Sequence, residues 1–463
     1  MAENSLYPGI PHSAPSTTEL KTFGIVLTLL GTIYSLWLLT FWPGVLGEDS
    51  LSIMLEVENP GSYLSAKPVF WYYFVKAFYQ ELRLVEIPIG AQLAFCAIVF
   101  SRILSWCWHQ HLRKTFYFSL IFICLAPHMV FFIGTLYADA IFSVAATGLL
   151  FEVWLAAKSR KITGASLCII ALTLPIAAFV RPNGIIFLAP VILTAFLVDR
   201  TSRRWLIAII VVWCGLMLIG SRLHKKDSHG TLYPLALFET VNFLQPRPMN
   251  LWTQNPRVHP RSVEILSRFR PLDNVISNYD PDYWDPLIYK PDGPQLMALP
   301  REDKKAIVKD FFLYNLWQNI PKFSGSRVNI FLTSALAQGG IPGRAYAEYV
   351  IKATQSKSQF RAFQWSTAEK ILSDVHDFSY TWRWLLWSPL LGVALLAWAL
   401  RKGLQTRSIP TLLVAIPMAL QLGAIFFFSI AGEYRYLLPF FTLPLVLLPI
   451  ISDLSATQKN PRK

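Results

Sequence analysis

Four short segments of the chain carry charged or polar side chains next to long apolar stretches. An acidic pair, Glu48 and Asp49, follows the first apolar stretch. The other segments are Tyr137-Ala138-Asp139, Arg181-Pro182-Asn183-Gly184 and Gly432-Glu433-Tyr434-Arg435-Tyr436. Charge beside the hydrocarbon core of a membrane is costly and tends to face protein or water, so each instance predicts a functional role. Carboxylates and guanidinium groups gathered at one membrane face would suit an anionic lipid head group and a polar acceptor.

Each of these residues also has a purely structural interpretation. Asp139 would cap a helix N-terminus, where its charge interacts favourably with the helix dipole. Glu433 and Arg435 would form an ion pair or anchor the chain at the interface, and Arg181 would extend its side chain to the surface. In the same way, Glu48 and Asp49 would be ordinary charged residues of a loop that is exposed to water. Only the functional interpretation predicts that Asp49, Asp139, Arg181 and Arg435 line one outward-facing cavity at the bilayer surface.

The composition indicates that membrane spans position these residues. The chain has 463 residues, of which 54% are hydrophobic and 15% charged, against roughly 25% charged in ordinary globular proteins. Disordered chains are poor in apolar residues and rich in charge, so disorder is excluded. Lys and Arg number 42 against 28 Asp and Glu, a net charge of +14. In a membrane protein this excess belongs in short cytoplasmic loops, so no nucleic-acid partner is expected.

Ten apolar segments approach the ~20 residues that a helix needs to cross the hydrocarbon core. They lie near 23–43, 86–106, 115–134, 140–157, 163–180, 184–199, 205–221, 382–400, 409–430 and 435–452. The N-terminus lacks a short apolar stretch followed by a small-residue cleavage site, so we expect the first span to be permanent. The predicted fold is therefore an all-α polytopic membrane protein with about ten transmembrane helices.

The distribution of Lys and Arg predicts which way the protein sits in the membrane. With the N-terminus in the cytoplasm, the inside segments hold 15 Lys and Arg residues; they are 1–22, 107–114, 158–162, 200–204, 401–408 and 453–463. The short outside turns 135–139, 181–183 and 431–434 hold one in total. Because cytoplasmic loops carry the excess of positive charge, both termini are expected in the cytoplasm. The candidate residues then lie on the outer face, the periplasmic side of a bacterial inner membrane.

Two long segments fall on the outer side. The first outer loop, 44–85, contains an aromatic-rich stretch beginning at Lys67-Pro68, which is typical of a helix lying in the membrane interface. The second, 222–380, should fold as a mainly helical extracytoplasmic domain. It contains a predicted amphipathic helix from Glu302 to about Gln318, an interruption at Pro321 and a second helix from Phe323 to about Ala337. The predicted division is a tail (1–22), a seven-span module (23–221), the outer domain (222–380), a three-span module (381–452) and a second tail (453–463).

Several function classes lack their usual sequence signatures. No P-loop, His-Glu-x-x-His helix or Gly-x-Ser-x-Gly elbow occurs, which argues against an ATP-driven pump, a metalloprotease and a serine lipase. All five cysteines lie inside or at the ends of predicted spans, so no disulfide framework is expected outside.

The whole pattern resembles the GT-C superfamily of integral-membrane glycosyltransferases, which take sugars from polyprenyl-phosphate donors. Four features carry the resemblance: the acidic pair in Trp42-Pro43-Gly44-Val45-Leu46-Gly47-Glu48-Asp49-Ser50, the helix beginning at Lys67-Pro68, Arg181-Pro182-Asn183-Gly184 between two spans, and Arg435-Tyr436 followed by Pro439. The similarity is greatest to the protein-mannosyltransferase and lipid A aminoarabinose-transferase branch, over about 1–222 and 380–452. The outer domain matches loosely, through its amphipathic helix, Pro321 and Arg327. Protein mannosyltransferases usually have Asp before Glu, whereas here Glu48 precedes Asp49.

The resemblance implies one inverting displacement that moves the sugar to an extracytoplasmic acceptor: a glycan, a lipid or a protein. Asp49 would take the proton of the acceptor hydroxyl, with Glu48 assisting or substituting and Asp139 matching the family's second acid by position. The leaving phosphate needs preorganised cations. The candidates are Arg181, Arg435, Arg327 and Lys67, and the further substrate contacts are assigned to Asn183, Glu433 and Tyr137.

The resemblance leaves metal dependence and function class open to alternatives. No metal or other cofactor is expected, although Glu48, Asp49 and Asp139 could together hold a divalent ion, as carboxylates do in some superfamily members. A flippase for lipid-linked sugars would share the spans and the lipid site, but transporters often have two matching halves, and the 222–380 insertion is asymmetric. A polysaccharide polymerase or ligase is the nearer alternative. The expected partners are the polyprenyl-phosphate donor, the acceptor and membrane lipids.

Overall fold

The computed structural model describes residues 17–63, 65, 67–124, 126–224, 232–246, 257–336, 338–339 and 342–459. Within these ranges the chain is helical, and its β pairing is limited to two isolated bridges. Parts of the predicted segments lie outside the described residues, among them 1–16 and 460–463 of the two tails, 225–231 and 247–256 of the outer domain, and residue 337 at the end of the predicted second outer helix. The chain divides into two compact units. The first comprises Met1–Lys226, Ile341–Gln421 and Leu437–Lys463, and the second comprises Asp227–Gly340 and Leu422–Tyr436.

The described residues in the N-terminal part of the first unit form ten α-helices. They are α1 (Thr17–Thr40), α2 (Glu48–Glu58), α3 (Val69–Tyr79), α4 (Glu86–His109), α5 (Arg113–Cys124), α6 (Pro127–Ile133), α7 (Ala138–Ser159), α8 (Gly164–Phe179), α9 (Leu188–Leu197) and α10 (Arg200–Leu223). A 3₁₀ turn, Pro182–Phe187, connects α8 to α9. The aromatic stretch after Lys67-Pro68 is thus helical, as expected, and Pro68 is the N-cap residue of α3.

Helix α7 is the centre of the first unit. Its apolar window is entirely buried, and it packs against α4, α8 and α9. Small residues such as Ala145 and Ala146 allow neighbouring helices to approach closely. Arg102 on α4 pairs with Glu152 on α7 and with Glu19 on α1, each at 2.8 Å, so a shared guanidinium joins three helices. The N-terminal end of this buried helix carries Asp139.

The second unit is built mainly from α11 (Leu232–Leu244), α12 (Pro260–Phe269), α13 (Leu272–Ser277), α14 (Arg301–Asp310), α15 (Leu316–Gln318) and α16 (Ile320–Ala335). Two 3₁₀ turns, Asp285–Leu287 and Leu296–Ala298, and a π-helical turn, Phe311–Asn315, connect them. The predicted helix from Glu302 to Gln318 is therefore present as α14, the π turn and α15. Pro321 lies in the first turn of α16 rather than in a gap, since proline lacks the N–H that a first turn leaves unbonded.

The rest of the chain contains α17 (Tyr346–Ala353), α18 (Ser366–Thr381), α19 (Arg383–Leu386), α20 (Leu390–Thr406), α21 (Ile409–Phe428), α22 (Leu438–Thr442) and α23 (Pro444–Lys459). The division differs from the expected 222–380 domain, because 341–380 belongs to the first unit. Hydrogen bonds explain this placement. Arg361 donates to the carbonyls of Phe41 (2.8 Å) and Trp42 (3.2 Å), and the Ser358 hydroxyl donates to Glu86 at 2.6 Å.

Among the described residues, seven helices are long and apolar enough to cross a bilayer, so the chain is an integral membrane protein. They are α1, α4, α7, α10, α21 and the stretches Arg383–Thr406 and Tyr434–Asp453. The predicted span 115–134 is instead the pair α5 and α6, bent by 65°, because Pro127 lacks an N–H and disfavours helical geometry in the residue before it. The predicted spans on either side of Arg181 are short apolar helices, Gly164–Phe179 and Pro182–Leu197; at 1.5 Å per residue the first is about 24 Å long.

Candidate functional site

The first turn of α2 presents both predicted acids. Glu48 and Asp49 directly follow Gly47, the N-cap residue. The N–H groups of a first turn lack helical partners and the dipole favours negative charge there, so the helix itself stabilises these carboxylates. Asp49 Oδ1 lies 2.5 Å from Lys67 Nζ, and the two side chains are 21% and 24% exposed. The Asp49 carboxylate is thus ionically paired and still reachable by a second molecule.

Helix α17 places a phenol next to the acidic pair. This helix packs against α2. Burial, and after it the negative charge of Glu48, raises the pKa of Tyr346. The phenol is therefore protonated at neutral pH and offers a hydrogen-bond donor at this edge of the site.

The loop before α2 packs against the loop that leads into α7. Gly47 touches the hydroxyl of Tyr137 so closely that a Cβ at this position would overlap the phenol. The hydroxyls of Ser50 and Thr135 lie 3.4 Å apart. These contacts join the start of α2 to the loop directly before α7, and the first turn of α7 carries Asp139.

Asp139 on α7 forms an ion pair with Arg181, which directly precedes the 3₁₀ turn between α8 and α9. The carboxylate is 5% exposed and the guanidinium 23% exposed. Arg181 is the N-cap residue of the 3₁₀ turn Pro182–Phe187, and this turn aims its side chain at α7. Because a buried carboxylate requires a partner, Arg181 stabilises Asp139 while it also reaches solvent. Asn183 lies in the same turn, and within the described part of the chain its buried Oδ1 has no hydrogen-bond donor.

Together these residues form what we term the α2–α7 cluster: Glu48, Asp49, Lys67, Asp139 and Arg181. Three acids and two bases lie at neighbouring helix starts of one unit, arranged as the ion pairs Asp49–Lys67 and Asp139–Arg181. Three of the four residues expected to share a cavity thus belong to the first unit. The cluster can bind an anion through its bases and accept a proton through its acids.

Glu433 and Arg435 belong to the second unit. They pair with each other at 2.5 Å, with side chains 14% and 11% exposed, as the ion-pair interpretation of these residues predicts. Tyr283 lies close to them: burial, followed by the charge of Glu433 and of neighbouring aspartates, raises the pKa of this phenol to about 12.

Arg327 requires a correction. Its side chain and that of its partner Glu239 are both 0% exposed. The guanidinium also donates to the carbonyls of Phe427 and Ser429. A guanidinium enclosed in this way inside the second unit does not face a lipid phosphate, so the predicted phosphate-binding role is replaced by a structural one. Arg327 stabilises the end of α21 and the residues that follow it through these hydrogen bonds.

The structure also provides information on the alternative in which carboxylates of the site bind a divalent metal ion. Within the described ranges, no three His, Cys, Asp or Glu side chains are grouped so that they could hold a metal ion. The set Glu48, Asp49 and Asp139 does not form a joint ligand sphere, because Asp49 pairs with Lys67 and Asp139 with Arg181.

Two residues near the cluster, Glu56 and His224, are not among the site residues that the sequence predicts. Glu56, at the far end of α2, is fully buried and lies 2.9 Å from the ring of His224. One signal is present in the sequence: Glu56 follows Asp49 by seven residues, a spacing that places both on one helix face. Its partner at the end of α10 is distant in the chain and carries no local signature.

Comparisons with protein-family models, with curated proteins and with solved structures found no match for the chain. The role of the α2–α7 cluster is therefore inferred from its own chemistry and from its place in a membrane protein.

Proposed function

We propose that the chain is a GT-C-type membrane glycosyltransferase that moves a sugar from a polyprenyl-phosphate donor to an extracytoplasmic acceptor. The observation that supports this proposal most strongly is the α2–α7 cluster, in which two partly exposed ion pairs lie at adjoining helix starts. Basic side chains beside apolar helices suit a substrate with an anionic head and a hydrocarbon tail, and a carboxylate among them suits proton removal.

Asp49 is the proposed general base. An acceptor hydroxyl is a poor nucleophile, so a carboxylate must take its proton as the oxygen attacks the anomeric carbon. The bond from that carbon to the phosphate oxygen breaks as the new bond forms, and a single displacement of this kind inverts the configuration. The nearby Lys67 ammonium favours the ionised form of Asp49. Glu48, which is exposed and one residue earlier, is the second candidate for this role.

Lys67 and Arg181 are the proposed cations for the leaving polyprenyl phosphate. Each now neutralises a carboxylate but keeps about a quarter of its side chain exposed, 24% and 23%. A phosphate with several acceptor oxygens competes well for such donors. Asp139 then holds Arg181 in place between turnovers. Arg435 is proposed as a further phosphate ligand, and the proposed substrate contacts are Tyr137, Asn183 and Glu433.

The proposal includes a topology of about ten spans. To the seven long helices it adds the bent pair α5 and α6 and the short helices α8 and α9. Both termini are then cytoplasmic, which agrees with the charge asymmetry of the loops. The cluster faces the outer side of a bacterial inner membrane.

The experiment that tests the proposal is Asp49→Asn in the full-length protein, assayed in detergent with radiolabelled polyprenyl-phosphate sugars and an acceptor fraction. Because Asn keeps the shape of Asp but cannot accept the proton, turnover should fall by about 10²- to 10⁴-fold. Glu81→Gln removes an exposed carboxylate from the same outer segment and should leave turnover unchanged. Near-normal turnover in a correctly inserted Asp49→Asn protein removes Asp49 as the base. Loss of turnover in Glu48→Gln instead would transfer the role to Glu48.

A further inference from the structure

Helix α2 carries a buried carboxylate that the proposed reaction does not use. The side chain of Glu56 is 0% exposed. A buried carboxylate is costly unless it is paired and hydrogen-bonded, so its partners indicate what it holds in place.

Among the described residues, Glu56 has hydrogen-bond partners in two other parts of the chain. The backbone N–H of Ser65 donates to Oε2 at 3.2 Å, and the Ser65 hydroxyl donates to the same oxygen. On the other side, His224 Nε2 lies 2.9 Å from Oε1. The imidazole is itself fixed, because it stacks on Tyr72 with ring centroids 3.9 Å apart. Glu56 therefore joins the segment at Ser65 to the end of α10.

Ser65 leads directly to the lysine of the α2–α7 cluster. The backbone N–H of Lys67 donates to the Ser65 hydroxyl at 3.2 Å, and Lys67 Nζ lies 2.5 Å from Asp49. Asp49 and Glu56 share one face of α2 and are about 10 Å apart along its axis. Two residues of chain reach at most about 7 Å, and a lysine side chain covers the remaining distance. Ser65 is thus held by Glu56 near one end of α2, and the Lys67 ammonium lies on Asp49 at the other end.

We propose that Glu56, supported by His224, is a positioning residue that fixes the segment at Ser65 and thereby holds Lys67 on Asp49. A lysine on a free loop would distribute its flexible side chain over many rotamers. Anchoring the backbone two residues earlier removes much of that freedom. The catalytic consequence rests on the proposed function, whereas the placement of Lys67 does not, and the two are tested separately.

The placement is tested by the reactivity of the Lys67 amine in the full-length protein in lipid nanodiscs. The probe is N-hydroxysuccinimidyl acetate, and acetylation of Lys67 is quantified by peptide mass spectrometry against the exposed Lys21. Glu56→Gln keeps the shape but removes the charge. It should raise the Lys67 rate by about 1.5- to five-fold, the range for a partly exposed ion pair. Asp49→Asn removes the partner directly and should give a rise of the same size.

The matched control is Glu58→Gln, on the same helix. Its carboxylate accepts a hydrogen bond from Tyr79 at 2.6 Å instead, so the Lys67 rate should stay at the wild-type value. If Glu56→Gln does not fold, Ser65→Ala removes one donor while the backbone N–H and His224 remain, and a smaller rise is expected. A wild-type Lys67 rate in the folded Glu56→Gln or Ser65→Ala protein overturns the inference, as does an equal rise in Glu58→Gln.

The catalytic consequence is read from the pH profile of kcat/KM. When Lys67 leaves Asp49, the positive charge that favours the ionised carboxylate is lost, so the acidic limb of the Glu56→Gln profile should move to higher pH. A merely structural role would lower activity without moving that limb. If Lys67 becomes reactive but the limb stays in place, the positioning role holds and Asp49 is not the base, which contradicts the proposed function instead.

Discussion

At the scale of single residues, Asp139 combines the structural and the functional interpretations of a buried acid. It is not the N-cap of α7, since that position belongs to Tyr137, but it lies in the first turn, where the dipole favours its charge. Its carboxylate is 5% exposed and depends on Arg181. In the proposed mechanism, Asp139 is thus required for the fold and also holds in place Arg181, the cation assigned to the substrate phosphate.

This dependence predicts an asymmetry between single and double substitutions. Arg181→Ala leaves a nearly buried carboxylate without its cation and should cost about 1–3 kcal/mol of unfolding free energy, less than a fully buried pair because Arg181 is partly exposed. Adding Asp139→Asn should restore most of that loss. Denaturant unfolding in detergent measures both proteins, and a double variant no more stable than Arg181→Ala would show that the pair does not carry this energy.

Individual residues are predictable from the sequence where the signal is local, and much less so where it depends on a distant partner. The members of the pair Glu433–Arg435 are separated by one residue, and their ion pair is confirmed. The assignment of Arg327 to the donor is wrong, because a lone arginine gives no sign of the buried Glu239 that meets it on another helix. The spacing of Glu56 from Asp49 places it on the same helix face, but its pairing is not predictable, since His224 becomes its neighbour only when α10 packs against α3.

At the scale of elements, the site depends on how the starts of α2 and α7 fit together. Gly47 has an extended backbone, with φ −142°, that any residue can adopt, so glycine is needed there for space alone. The hydroxyl of Tyr137 occupies the position of the absent side chain.

Gly47→Ala should therefore act by steric overlap. It should push Tyr137 away from α2, lower transfer activity and cost about 1–3 kcal/mol, as overpacking does. Gly90→Ala in α4 is the matched control: no atom lies within 4 Å of the position that its Cβ would take, and alanine favours a helix by up to about 1 kcal/mol over glycine. Thermal unfolding and turnover compare the two, and equal effects in both would contradict the steric explanation.

Helices are easier to predict than their irregularities. Hydropathy locates the long apolar helices, and amphipathic spacing locates the helix from Glu302 to Gln318. The π turn Phe311–Asn315 inside it has no such signal, because a turn of this kind reflects tertiary packing rather than residue preference. The bend before α6 follows from Pro127, yet Pro175 lies inside α8 without ending it. A proline alone does not reveal which outcome occurs.

At the scale of the whole molecule, the sequence indicates a membrane protein with a large insertion but places one boundary differently from the structure. Charge and hydropathy indicate whether a segment lies in the membrane or in water. They do not show that 341–380 belongs to the first unit, because that assignment depends on hydrogen bonds such as those from Arg361 to the carbonyls of Phe41 and Trp42. The proposed orientation makes the outer face the site of chemistry, and a flippase would share the same orientation and lipid site.

The fate of the donor in proteoliposomes separates these two functions most directly. Full-length protein is reconstituted with a radiolabelled polyprenyl-phosphate sugar and an acceptor fraction, and the products are resolved into intact donor, free polyprenyl phosphate and glycosylated acceptor. We predict that wild type releases polyprenyl phosphate and labels the acceptor, and that Asp49→Asn does neither. Donor that crosses the bilayer intact and uncleaved, at the same rate with both proteins, would contradict the assignment as a glycosyltransferase and would indicate a lipid-linked-sugar transporter.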